Sequence, residues 1–197
     1  MPVTGDYDGD GIADIAVWRP DTGVWYVLYS SENFDQSKPG IFAWGQLGDI
    51  PVQADYDGDG RDDHAIFRSM ENRWYIFLSG SQTWSIKTFG LAGQDLLVPA
   101  DYSGDGKADI AVFRSGTWWI EDSTTGEIEA MEFGFADGVP VPADYDNDGS
   151  VDLAVFRHGQ WYINKSSDGS LASFRFGLGG DVPLNSLAAR PSIVGIP

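Results

Sequence analysis

The chain has 197 residues, 42% of them hydrophobic and 14% aromatic with eight Trp, against only 21% charged, so it has the means to bury a core and is no disordered acidic tail. Twelve Lys and Arg face 30 Asp and Glu, a net charge of −18, which repels a phosphate backbone and excludes nucleic acid as a natural partner. There is no Cys, which removes disulfides, thiol catalysis and thiolate metal sites together.

In chain order, residues 2–5 read as a short entering strand. They are followed by the acidic hexad Asp6-Tyr7-Asp8-Gly9-Asp10-Gly11, a β-branched strand over 14–19, an aromatic strand over 24–27 and a strand closing on Trp44-Gly45. The same order then restarts. Residues 50–54 enter, Asp55-Tyr56-Asp57-Gly58-Asp59-Gly60 follows, and strands over 63–68 and 73–76 lead to Phe89-Gly90. The third pass runs through Asp101-Tyr102-Ser103-Gly104-Asp105-Gly106, strands over 109–114 and 117–120, and Phe133-Gly134. The fourth runs through Asp144-Tyr145-Asp146-Asn147-Asp148-Gly149, strands over 152–157 and 160–163, and Phe176-Gly177. The hexads lie 49, 46 and 43 residues apart.

Four short strands per unit of this length, with a recurring aromatic signature and no helical period, predict an all-β fold, a β-propeller of four-stranded antiparallel blades. A β-sandwich is the competing architecture, and the regular four-strand unit argues against it. The blades run over about 2–49, 50–95, 96–138 and 139–181. Residues 182–197 form an extra entering strand and tail, since 183–186 repeat the entering pattern with Leu187 where the next Asp would fall. Five entering strands for four blades allow either a four-bladed ring or half of a larger ring completed by a second chain.

The pattern Asp-x-Asp-x-Asp-Gly-x-x-Asp places oxygen donors at positions 1, 3, 5 and 9, with the position-7 carbonyl as a further donor and Gly at position 6 for the sharp turn. Hard oxygen ligands in a flexible loop suit Ca2+. The four predicted sites are Asp6, Asp8, Asp10, Ile12 and Asp14; Asp55, Asp57, Asp59, Arg61 and Asp63; Asp101, Ser103, Asp105, Lys107 and Asp109; and Asp144, Asp146, Asp148, Ser150 and Asp152. About four Ca2+ per chain are expected, the third weakest because Ser103 replaces a carboxylate. An EF-hand needs Glu at position 12, where this chain has Val17, Ile66, Val112 and Val155 inside strands, so that reading fails.

Over residues 2 to about 187 these units resemble the FG-GAP repeats, also called VCBS-type repeats, of integrin alpha heads and of many bacterial surface and secreted proteins. The Phe-Gly half of the name stands at Phe89-Gly90, Phe133-Gly134 and Phe176-Gly177, with Trp44-Gly45 as a variant. The Gly-Ala-Pro half is replaced at Arg19-Pro20, Arg68-Ser69 and Arg114-Ser115, which points to the bacterial and fungal branch. The resemblance implies calcium loops between the innermost and second strands of each blade, usually in seven-bladed rings, with lectins among fungal relatives.

No apolar run reaches bilayer length, and Met-Pro-Val-Thr-Gly-Asp has no basic start followed by an apolar stretch. These residues hold no export signal of their own; the chain reads as a mature or trimmed form whose signal lies upstream, and the resemblance implies a secreted or cell-surface location. Catalysis is not expected. His64 and His158 stand outside the shared pattern, no Gly-x-Ser-x-Gly elbow occurs, and the clustered carboxylates are committed to metal. His64 takes a strand position held elsewhere by Ile or Leu and reads as a packed imidazole. The expected function is a recognition module, most of all carbohydrate-binding. Trp25, Trp74, Trp118 and Trp161 would be stacking platforms, and Arg19, Arg68, Arg114 and Arg157 donors. A protein-adhesion or spacer module, and a repeat array accessory to a larger secreted enzyme, are the alternatives. Partners are a glycan or protein ligand and a second copy completing the ring, with no membrane insertion.

Overall fold

The computed structural model describes residues 1–184. Among them there is no helix, and fifteen strands form four antiparallel sheets, each built of strands consecutive in the chain. The first holds β1 (Ile15–Arg19), β2 (Val24–Leu28) and β3 (Gly40–Ala43). The second holds β4 (Ile50–Pro51), β5 (His64–Arg68), β6 (Arg73–Leu78) and β7 (Thr83–Thr88). The third holds β8 (Leu96–Leu97), β9 (Ile110–Arg114), β10 (Thr117–Glu121) and β11 (Ile128–Glu132). The fourth holds β12 (Val139–Pro140), β13 (Leu153–Arg157), β14 (Gln160–Asn164) and β15 (Leu171–Arg175). The fold is an all-β propeller of antiparallel blades, one blade to each sequence repeat.

The entering strands are shorter than the sequence predicts. Three are two residues long, and the first is a bridge between Pro2 and Val17 flanked by the Val3 amide on the Ala16 carbonyl at 3.0 Å. Proline has no amide to donate and so limits a ladder. Pairing still resumes past it: the Val52 amide donates to Ala65 at 2.9 Å, and Ala54 bridges Asp63. The extra entering strand and tail expected over 182–197 lie almost wholly outside the described residues.

The chain divides into two compact units, Met1–Gly93 with Gly106–Ala108, and Gln94–Asp105 with Asp109 onward. In the first, Val3, Tyr7, Ala16, Trp18, Trp25 and Val27 from one face of the first blade pack with Ile66 of the second. In the other, Val98, Ala111, Phe113, Trp118 and Ile120 of the third blade pack with Leu153 and Val155 of the fourth. Alternate strand residues project to opposite faces, so Trp25 and Val27 are buried while Tyr26 between them is half-buried.

Two hydrogen bonds recur in all four blades. The indoles of Trp25, Trp74, Trp118 and Trp161 donate to the carbonyls of Trp44, Phe89, Phe133 and Phe176 at 2.8, 3.1, 2.8 and 2.9 Å. The glycine after each of those carbonyls has φ between 87° and 124°, and a Cβ at Gly134 would lie 2.9 Å from Val155. This explains why an aromatic-Gly pair closes each repeat. The hexad tyrosines Tyr7, Tyr56, Tyr102 and Tyr145 donate to the carbonyls of Val3, Val52, Val98 and Val141 at 2.5 to 2.7 Å, tying each acidic loop back to its entering strand.

His64 is a packed imidazole, as its position in the repeat suggests. Its ring lies 4.5 Å from Phe42, 5.1 Å from Trp25 and 5.2 Å from Tyr7, and burial pushes its pKa down to about 4.

Replacing Tyr56 with Phe leaves the buried Val52 carbonyl without its donor at nearly unchanged shape. Urea unfolding of Tyr56→Phe is expected to show a loss of about 1–2 kcal/mol with an unaltered m-value. A loss below the error of the fit would deny the tether its role.

Candidate metal centres

Each acidic loop is organised by its own backbone. The position-1 carboxylates take the amides at positions 4 and 6. Asp6 accepts from Gly9 and Gly11 at 2.7 and 2.8 Å, Asp55 from Gly58 and Gly60 at 2.6 and 2.8 Å, and Asp144 from Asn147 and Gly149 at 2.5 and 3.1 Å. Asp101 accepts from Gly104 at 2.6 Å. Those amides turn inward because positions 4 and 6 have positive φ, including Asn147 at 61°, a residue type that tolerates this region. At position 5, Asp10, Asp59 and Asp148 accept the position-7 amides of Ile12, Arg61 and Ser150 at 2.8 to 2.9 Å.

The position-9 aspartates are the most buried acidic groups in the loops. Asp14, Asp63, Asp109 and Asp152 are 0–1% exposed. One oxygen of each accepts the hexad tyrosine's amide at 2.9 Å. The other accepts the amide of Ser30, Ser79, Ser123 or Ser166 at 2.7 to 2.8 Å, just beyond the blade's second long strand. These carboxylates therefore clamp the loop to the neighbouring turn.

Sequence reasoning missed the serine side of this clamp. Ser30 donates from Oγ to Asp10 at 2.7 Å and Ser31 to Asp8 at 2.5 Å; Ser79 donates to Asp59 at 2.9 Å, Ser123 to Asp105 at 3.3 Å, Ser166 to Asp148 at 3.0 Å and Ser167 to Asp146 at 2.6 Å. The signal was present, because a serine recurs 16 residues after the position-9 Asp in two repeats and 14 after it in the other two.

Successive loops are also joined. The Asp62 amide donates to the Asp6 carbonyl at 2.6 Å, and the Asp62 carboxylate accepts the Asp6 amide at 2.9 Å. A Cβ at Gly5 would lie 2.0 Å from that carboxylate, which accounts for glycine where the other repeats have Ala54, Ala100 and Ala143. Ala108 donates to Asp55 at 2.6 Å and Val151 to Asp101 at 2.7 Å in the same way.

All the predicted metal residues lie in these four loops, and three loops converge. Carboxylate oxygens of Asp6, Asp8 and Asp10, of Asp55, Asp57 and Asp63, and of Asp144, Asp146 and Asp152 lie within 4.8 Å of one another. The third loop forms no such triad among the described residues. Its position 3 is Ser103, whose hydroxyl lies 3.4 Å from Asp101. Like charges about 4 Å apart repel by about 4 kcal/mol at an effective dielectric constant of 20. Burial, with Asp57 adding to it, pushes the Asp63 pKa up to about 6 against the amides of Ser79 and Tyr56, and burial also raises Asp14, Asp55 and Asp109. The position-3 oxygens Asp57 Oδ1 and Asp146 Oδ1 are buried and accept no hydrogen bond among the described residues. An unpartnered buried carboxylate oxygen beside two more carboxylates fits the all-oxygen donor set of a hard cation. The acidic clusters can hold metal ions, and a bound divalent cation would supply positive charge to offset the crowded carboxylates.

The expected ligand platform is not formed. Trp25, Trp74 and Trp118 are wholly buried and present no ring face to a sugar; only Trp161 is partly exposed. Three of the arginines are held by aspartates before the entering strands. Arg68 binds Asp49 through two bonds at 2.9 and 3.0 Å, Arg114 binds Asp95, and Arg157 lies 2.7 Å from Asp137. Arg19 donates to the Tyr26 hydroxyl at 3.0 Å and lies over its ring. Sequence reading had the residues but not the partners, which lie about twenty positions upstream in linking loops.

The FG-GAP-like repeat family matches residues 6–66 and 55–112, the stretch that contains the first three loops just described. The chain belongs to the FG-GAP-like repeat family. A search of curated proteins finds no match. Among solved structures, the V. cholerae biofilm matrix protein Bap1 is similar at 18% identity and a TM-score of 0.38, with 92% of this chain covered. This FG-GAP-like chain spans 40% of that protein's length.

The orphaned oxygen makes a prediction whose sign depends on the cation. In chelator, Asp57→Asn removes an unpartnered buried charge while Gly80 keeps its acceptor, so the melting temperature is expected to rise by a few degrees. In millimolar calcium the same variant is expected to gain less than the parent and to fall below it. A parallel response of the two proteins to calcium would contradict the assignment.

Proposed function

We propose that this protein is a non-catalytic, calcium-stabilised recognition module that works outside the cell, holding its partners by adhesion. The observation that carries this reading is the position-3 carboxylate oxygen, buried and unpartnered among clustered carboxylates in two loops. Oxygen-only sites on flexible loops are typically tuned to about 10⁻⁴–10⁻³ M calcium in extracellular modules. At ten times the dissociation constant each site contributes about 1.4 kcal/mol, so the three converging loops together contribute about 4 kcal/mol, a large share of an ordinary domain's stability.

The residues that recur in every repeat support a scaffold. The aspartates, serines, tyrosines and indoles tie loops to strands, and three of the four arginines tie strands to linking loops. The two histidines support no acid–base pair with a nucleophile: His64 is packed among aromatic rings, and His158 lies 3.3 Å from Asp137. With three indoles in the core, adhesion through the outer surface is favoured over the sugar-stacking reading.

Calorimetric titration of the chelated protein with calcium is expected to give dissociation constants of about 10⁻⁴–10⁻³ M with a rising melting temperature. The absence of binding would overturn the calcium assignment, and sub-micromolar binding would overturn the extracellular tuning. On a glycan array in calcium, no signal that free sugar competes away is expected; competed binding would restore the lectin reading.

A further inference from the structure

Every blade has two apolar faces, and the same rule joins them in both units. One face carries the indole row: Ala16, Trp18, Trp25, Val27 and Phe42 in the first blade. The opposite face carries the alternate residues, such as His64, Ile66 and Phe77 in the second. In the first unit the indole face of the first blade meets the alternate face of the second, with Phe42 4.6 Å from Phe77, Trp44 5.7 Å from Phe77 and Ile66 inside the core. In the other unit the indole face of the third blade meets Leu153, Val155 and Tyr162 on the alternate face of the fourth.

Among the described residues, the first and fourth blades each have an exposed apolar face, one of each kind. The indole face of the fourth blade is a cleft of about 400 Å³ lined by Tyr145, Trp161, Ile163, Ala172, Phe174 and Phe176, with Lys165 as the one charged side chain among the described residues that line it. Phe174 and Phe176 are 59% and 78% exposed, and Trp161 is partly exposed where its three counterparts are at 0%. On the alternate face of the first blade, Ile15 and Val17 are 53% and 45% exposed. The counterparts of Val17, which are Ile66, Val112 and Val155, are all at 0%. The backbone repeats the asymmetry. Asp62, Ala108 and Val151 donate to the preceding loop's position-1 carbonyl, whereas among the described residues neither the equivalent Ala13 amide nor the Asp144 carbonyl has such a partner.

We propose that these two faces are the halves of one interface, and that the indole face of the fourth blade receives the alternate face of the first blade from a second copy of this chain. The partner's chemistry is specified by the chain itself, because twice within it a face of one kind is covered by a face of the other. The Ile15 and Val17 side chains of the second copy would take the place that Leu153 and Val155 take against the third blade. Its Ala13 amide would reach the Asp144 carbonyl. A contact between unlike faces is heterologous, so copies add head to tail. Exposed contiguous apolar surface of this kind marks an association site. The inference goes beyond the proposed function and does not depend on calcium or on any adhesive partner.

Sedimentation velocity of the full chain over about 1–100 µM tests it. The expected mass is at least twice the 21.5 kDa of one chain. Val17→Glu and Phe174→Glu, both at exposed positions, are each expected to be monomeric at the concentration where the parent is half associated. Mixed in equal amounts they are expected to associate again, because the indole face of the first variant and the alternate face of the second are both intact. A monomeric parent at all concentrations would overturn the proposal. So would undiminished association of Val17→Glu, which would mean that like faces pair, and so would two folded single variants that do not recover on mixing.

Discussion

The structure depends on a carboxylate placed where two backbone segments must be held together. Each position-9 aspartate is buried, and its two oxygens accept amides from the hexad tyrosine and from the serine beyond the second long strand. Charge-assisted hydrogen bonds of this kind are among the stronger polar contacts in a fold, but they bring a negative charge into a loop that already carries two or three more. Geometry and electrostatics therefore oppose each other in the same few ångströms. A divalent cation held there would offset the conflict, and Asp57 and Asp146 each have an oxygen that accepts no hydrogen bond among the described residues.

From that constraint the rest of a blade follows. The loop is fixed to its entering strand by the tyrosine hydroxyl, to the next turn by serine, and to an adjoining loop by backbone bonds such as Asp62 to Asp6. The indole and the carbonyl before the closing glycine fasten the outer strand. The arginine and the aspartate upstream of the entering strand fasten the linking loop. A unit tied at so many points presents its outer residues on a rigid base, which is what recognition by surface contact requires.

Much of this was legible in the chain. The acidic hexads set the repeat, the β-branched runs set the strands, and Asp-Gly spacing set the loops, because each depends on local chemistry that four copies state four times. What escaped depends on partners distant in sequence. Trp25 and Tyr26 are adjacent aromatics, and only packing decides that Trp25 is sealed in while Tyr26 lies under Arg19. Arg68 reads as a free donor until Asp49, nineteen residues earlier, is brought against it. Val17 and Val155 are the same residue at the same position of a repeat, yet one is open and the other sealed. Place in the array, and not residue type, makes that difference.

Anomalous difference density from a crystal grown in millimolar calcium would test the central claim most directly. The account predicts a peak within each of the triads Asp6, Asp8 and Asp10; Asp55, Asp57 and Asp63; and Asp144, Asp146 and Asp152, with oxygens about 2.3–2.6 Å away. A well-ordered map with those loops folded as described and no such density would contradict it.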